Sequence, residues 1–102
     1  MYVVYMIRCD DNSLYTGITT DLSRRMKEHV KKTPKAAAYT KSRNVISLEA
    51  LWHANDRSSA SKLEYSIKKL SKPQKEALIL DPDVFDGYEV GRIEDRYFDS
   101  FK

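Results

Sequence analysis

The chain begins with Tyr2-Val3-Val4-Tyr5-Met6-Ile7-Arg8, a β-branched and aromatic run that no polar residue interrupts before Arg8. It has no helical period and reads as a buried strand. A buried strand needs a paired neighbour for its backbone and covered faces for its side chains, so the rest of the chain must build a sheet around it. The polar cluster Cys9-Asp10-Asp11-Asn12-Ser13 follows, rich in side chains that favour turns. Leu14-Tyr15-Thr16-Gly17-Ile18-Thr19 then reads as a second strand, and the two form an antiparallel hairpin. Gly17 is one of only three glycines. Inside a strand it predicts a bulge or a close approach to the backbone.

Helical period takes over after Thr20. Thr20 or Asp21 can cap a helix whose apolar residues Leu22, Met26 and Val30 recur every four positions. Arg25 and His29, also four apart, share one flank of it. Residues 31–44 carry five cations and no acid, without a period, and read as a basic surface loop. Val45 to Trp52 is a third strand, mixing alternation with continuous apolarity. Ser58 or Ser59 can cap a second helix with the stripe Ala60, Leu63, Ile67 and Leu70, and Glu64 lies one step beside Leu63. Ser71-Lys72-Pro73-Gln74 is a capping box with proline in the first turn, opening a short third helix that ends at Leu80.

The predicted fold is α/β of the α+β kind: a small three-stranded sheet flanked by helices, in the order β-β-α-β-α-α. At 102 residues there is room for one core. The division expected is a domain over 1–80 and an extension over 81–102, acidic yet aromatic (Phe85, Tyr88, Tyr97, Phe98, Phe101) and so partly docked on the body.

Charge is unevenly placed. Residues 1–75 hold fifteen Lys/Arg against seven Asp/Glu, a balance of +8, and residues 76–102 hold three against eight, a balance of −5. A basic body suits a phosphate-backbone binder. No run is long and apolar enough for a membrane span, and the N-terminus lacks the marks of a signal peptide. One cysteine and two histidines argue against a disulfide framework or a structural zinc site. The expected compartment is the cytoplasm, with no membrane partner. Cys9, after a buried strand, reads as packing rather than as a nucleophile. The P-loop, the Gly-rich dinucleotide turn and the His-Glu-x-x-His pattern are all missing from the chain.

What remains is an ordered set: Tyr5 in one strand, Tyr15 in the next, Arg25 and His29 on the following helix, and Glu64 beside a later apolar stripe. Taken in that order, with Val3-Val4-Tyr5, Tyr15-Thr16-Gly17, Asp21-Leu22-Ser23-Arg24-Arg25, His29 and Ala60-Ser61-Lys62-Leu63-Glu64, the sequence resembles the GIY-YIG nuclease superfamily. It is most similar to the small single-domain bacterial subfamily related to excision-repair nuclease domains, which shares the Tyr-Thr-Gly-Ile-Thr run, the Tyr39-Thr40 pair and the Ile67-to-Leu70 run. The resemblance covers about residues 1–80. Val3-Val4 stand where the family has Gly-Ile, and Pro34 to Ala38 stand where the subfamily usually has a glycine.

The resemblance implies a DNA endonuclease that hydrolyses phosphodiester bonds in repair or processing. It implies one divalent cation, Mg²⁺ or Mn²⁺, held by a single carboxylate, Glu64. Tyr5, Tyr15, Arg25, His29 and Glu64 are then the catalytic set. Arg25 offers a planar fork to the scissile phosphate. A tyrosine serves as general base only if nearby cations pull its pKa below ~10. Tyr5 is the expected base and Tyr15 the hydrogen-bonding partner of phosphate or nucleophile, an assignment that can be reversed; His29 orients the water or relays its proton. Lys27, Lys31, Lys32, Lys35, Lys41 and Arg43 read as the backbone-binding surface, and Tyr39 as a stacking platform for an unpaired base or as packing on the body. Single-stranded or structured DNA is the expected partner. The rival reading is a catalytically weak nucleic-acid-binding module that keeps the nuclease fold.

Overall fold

A computed structural model describes residues 1–31 and 43–93. The elements run β1 (Tyr2–Cys9), β2 (Leu14–Thr19), α1 (Leu22–Lys31), β3 (Val45–Ala54), α2 (Arg57–Lys68), α3 (Lys72–Leu80) and β4 (Glu89–Val90). They form one antiparallel sheet ordered β2-β1-β3-β4, so the uninterrupted apolar run is a central strand. Its two faces are covered by different helices. Val3, Tyr5 and Ile7 pack with Leu22 and Met26 of α1. Val4 and Met6 pack with Ala60, Leu63 and Ile67 of α2 and Leu78 of α3. Tyr5, Met6, Ile7 and Trp52 are completely buried. Among the described residues no helix is long and apolar enough to cross a membrane.

The expectation of three strands is corrected to four. Glu89 and Val90 pair with His53 and Trp52, and the Gly91 N–H donates to the Leu51 carbonyl at 2.8 Å. Two residues carry no alternation to read, and what holds β4 is packing beside it. Trp52 donates its indole N–H to the Pro82 carbonyl at 2.8 Å and meets the Phe85 ring edge-on, and the Tyr88 hydroxyl donates to the Ser59 carbonyl at 2.7 Å.

The mixed pattern of β3 has a physical cause. Its register against β1 slips twice, once between Met6 and Ile7 and again between Arg8 and Cys9, leaving Glu49 and Ile46 as extra residues. Glu49 turns this to use: its carboxylate accepts from Arg8 Nε, while the other guanidinium nitrogens form a two-pronged pair with Glu76 of α3 at 2.6 and 2.9 Å.

Helix caps follow the sequence in two of three cases. Asp21 accepts from the Arg24 N–H at 3.1 Å, and Ser71 and Gln74 complete the capping box at α3. At α2 the cap is Asp56, not Ser58 or Ser59; its carboxylate accepts from the Ser59 N–H at 2.7 Å, so the helix starts earlier and both serines lie in its first turn.

Candidate active site

The hairpin register sets Tyr5 directly opposite Gly17. A β-carbon at Gly17 would lie 2.5 Å from the Tyr5 hydroxyl oxygen and 2.7 Å from its Cζ. The close approach expected at this glycine is therefore made by the Tyr5 ring, whose hydroxyl end covers the β2 backbone at Gly17. There its hydroxyl meets His29 Nε2 at 2.6 Å. Both residues are fully buried.

On α1, Leu22, Met26 and His29 form the buried face. His29 is thus a core-facing residue, and Val30, expected in the stripe, is half-buried. Arg25 sits one turn before His29, close enough for its guanidinium to act on the Tyr5 hydroxyl. A guanidinium can only donate, so beside Arg25 the hydroxyl keeps its lone pairs towards the cation and points its own proton at His29 Nε2. His29 then carries its proton on Nδ1, an assignment made from the hydrogen-bond network.

Burial dominates the titration of this pair. It pushes Tyr5 well above the ordinary tyrosine range, and the opposing pull of the Arg25 guanidinium does not offset it. Nearby cations therefore do not, in this state, draw Tyr5 down as the sequence suggested. Burial, reinforced by the positive charge of Arg25, lowers His29 to about 4. At neutral pH the pair is an intact phenol donating to a neutral imidazole. Burial also opposes the charge of Arg25, but its interactions with Tyr5 and Glu28 outweigh that and raise its pKa.

Tyr15, half-buried, has its ring centroid 5.5 Å from that of His29 and 6.4 Å from that of Tyr5. Lys68 Nζ of α2 lies 5.7 Å from the Tyr15 centroid and 3.4 Å from Glu64 Oε2. Glu64 is close enough for its charge to act on Tyr5. The fold thus gathers all five residues of the ordered set along the β2 side of the sheet, between α1 and α2. Two neighbours were missed in the sequence: Glu28, paired with Arg25 at 3.2 Å, and Lys68. Their signal is helical spacing, i+3 from Arg25 and i+4 from Glu64.

Of the basic surface, Lys27 and Lys31 are exposed and four apart on α1. Arg43 donates to Asp11 Oδ2 at 2.9 Å and is engaged at the β1–β2 turn. Lys32, Lys35, Tyr39 and Lys41 lie outside the described residues. Cys9 is buried, with its thiol pushed up by burial, in keeping with packing.

The model of the GIY-YIG catalytic domain matches residues 1–77. The chain belongs to the GIY-YIG family. Its similarity to UPF0213 proteins is high along most of its length. It is 44% identical over 84 residues to the UPF0213 protein FN1575 of Fusobacterium nucleatum, 82% of each chain. It is 41% identical over 85 residues to the UPF0213 protein YhbQ of Salmonella typhimurium, 83% of each. The solution NMR structure of the UPF0213 protein BH0048 from Bacillus halodurans superposes with a TM-score of 0.51 at 38% identity, covering 85% of this chain and 93% of that one. GIY-YIG membership supports a nuclease-type function, and the small α+β fold agrees with the UPF0213 structure.

Among the described residues no three His, Cys, Asp or Glu side chains converge as an all-protein metal cage would require. Glu64 is a half-buried carboxylate with one cationic neighbour. That donor set fits a hard divalent cation that keeps most of its waters and takes one protein oxygen.

Proposed function

We propose that the chain is a metal-dependent endonuclease that hydrolyses DNA phosphodiester bonds, selective for structure or strandedness, in repair or processing. The observation that carries this reading is the Tyr5–His29 hydrogen bond of 2.6 Å, with Arg25 near enough to act on the same hydroxyl. A buried tyrosinate is costly. A relay is not: a water approaching Tyr5 gives its proton to the phenol oxygen as the phenol passes its own to His29 Nε2. Tyr5 stays neutral throughout, and His29, neutral beforehand, takes the charge. Tyr5 is thus the immediate base and His29 the final acceptor.

Arg25 moves from Tyr5 and Glu28 onto the scissile phosphate, a better partner for its planar fork. That transfer also uncovers the Tyr5 hydroxyl. Tyr15, the accessible tyrosine of the pair, hydrogen-bonds the phosphate or the nucleophile. Glu64 would hold the divalent cation, Mg²⁺ or Mn²⁺, which when bound supplies charge that acidifies a water and neutralises a phosphate oxygen. Lys27 and Lys31, with Lys32, Lys35, Lys41, Arg43 and Tyr39, give the surface for the strand.

The test incubates the protein and its Arg25→Ala variant with labelled single-stranded, duplex and branched DNA, with Mg²⁺ or Mn²⁺. Cleavage by the parent above the variant on any of these supports the nuclease. Binding without cleavage on all of them would leave a recognition module.

A further inference from the structure

Between the first turn of α2 and the N-terminal half of α1 lies a cleft of about 350 Å³. Tyr2 and Ile18 line it, with Arg24, Arg25 and Glu28 from α1 and Arg57 from α2. Three guanidiniums face one carboxylate, and that carboxylate is already paired with Arg25 at 3.2 Å. Among the described residues Arg24 and Arg57 have no ion-pair partner. Like charges gathered in a concavity repel, and an anion reverses the sign of that interaction.

The cleft shares one wall with the reaction centre, because Arg25 lines the cleft and its guanidinium acts on Tyr5. Arg57 also shares a helix face with Glu64. Arg57, Ser61, Glu64 and Lys68 recur at i, i+4, i+7 and i+11, one stripe of α2. Seven residues place Arg57 and Glu64 roughly 10 Å apart along the helix. On one strand of a duplex, phosphates recur about every 3.4 Å of axis, so a strand crossing Glu64 presents another phosphate within a few nucleotides at the cleft.

We propose that this cleft is a subsite for a non-scissile backbone phosphate of the bound strand, held by Arg57 and Arg24. It rests on the nuclease reading only for the role of Arg25. A contact to a phosphate sets register along the strand and carries no sequence information of its own. A phosphate monoester at a strand end offers similar chemistry, but the shared wall at Arg25 favours a strand that runs on into the reaction centre.

The experiment measures binding of the full chain to a labelled single-stranded 15-mer and its duplex, with a chelator present so that nothing is cut. Single neutral methylphosphonate linkages are moved along one strand, against the parent, Arg57→Gln and Arg24→Gln. Both arginines are exposed, and a melting curve checks that each variant folds. At one or two adjacent internal positions the neutral linkage is expected to weaken the parent about three- to tenfold, the scale of one charge-assisted contact near the surface. Arg57→Gln alone should lose as much, and the two losses should not compound. The salt slope on the single strand should fall by ~0.7 in that variant.

Compounding losses at every position, no loss in Arg57→Gln, or no binding of either oligonucleotide would overturn the subsite. So would a loss that depends only on a terminal phosphate. Because the readout is binding, the cycle can hold in a protein that never cuts, and can fail in one that does; the two readings fall separately.

Discussion

The ring of Tyr5 occupies the space that a side chain on Gly17 would need: a β-carbon there would sit 2.5 Å from the Tyr5 oxygen. The glycine on β2 thus determines where the hydroxyl of β1 can reach, and hence that it meets His29. Gly17→Ala should push the ring off the strand. The expected cost is about 1–3 kcal/mol of stability from overpacking, together with loss of the Tyr5–His29 hydrogen bond. Denaturant unfolding and the imidazole NMR signals of His29 check both. An alanine variant with unchanged stability and an unchanged His29 spectrum would refute the coupling.

Acid should destabilise the fold through His29 before it does so through carboxylates. Its folded pKa is about 4 against 6.5 for a free histidine, so between those values the unfolded chain binds the extra proton. Stability is therefore fully present above about 6.5 and is lost as pH falls towards 4, by on the order of 3 kcal/mol. Glu76, lowered to about 2 by its hydrogen bonds with Arg8 and Lys72, and Asp11, lowered to about 2 chiefly by Ser13, keep their contributions until pH falls below the ordinary carboxylate range. Unfolding free energies of the parent and of His29→Gln, measured from pH 7 to 4, should differ in slope, the variant being flatter. Parallel slopes would mean that His29 is not the buried neutral group.

Much of this was legible in the sequence, and the misses have physical reasons. The central strand, the hairpin and the α3 capping box each depend on local chemistry that neighbouring residues spell out. β4 does not: Glu89 and Val90 are strand only because Trp52, Phe85 and Tyr88 anchor the segment around them. The four-residue spacing from Arg25 puts His29 on a flank of α1, yet at i+7 from Leu22 it falls on the buried stripe. What made it a core residue is Tyr5, a partner 24 positions away. The same burial reversed the expected direction of the Tyr5 shift, since desolvation depends on packing that no local pattern records.

Half-buried Glu64 and exposed Lys68 form an i, i+4 pair at 3.4 Å worth no more than ~0.5 kcal/mol to the fold. Glu64→Ala should accordingly leave the melting temperature nearly unchanged. Cleavage should fall by at least ~100-fold, about 2.7 kcal/mol of lost transition-state stabilisation, and calorimetry should no longer detect Mg²⁺ or Mn²⁺ binding. DNA affinity should hold or rise, because a negative charge has been removed beside the phosphate path and Lys68 is released. Unchanged cleavage by Glu64→Ala would take the carboxylate out of the site.

The acidic segment after α3 admits two roles, competition with DNA for the basic body or completion of the fold, and its contacts favour the second. Cutting the chain after Leu80 removes the Pro82 carbonyl from the indole N–H of Trp52, a residue with no exposed surface. It also removes Phe85, the Tyr88 hydrogen bond to Ser59 and the strand that covers β3. The stranded indole alone costs about 1–3 kcal/mol, and about 1 kcal/mol moves the melting temperature of a domain this size by roughly 4–8 °C. A drop of at least ~8 °C is expected, with no gain in DNA affinity. A chain cut after Ile93 keeps every one of these contacts and serves as the control. If truncation at Leu80 instead leaves melting unchanged and tightens DNA binding at low salt, with the gain fading as salt rises, the segment is an electrostatic inhibitor and not a part of the fold.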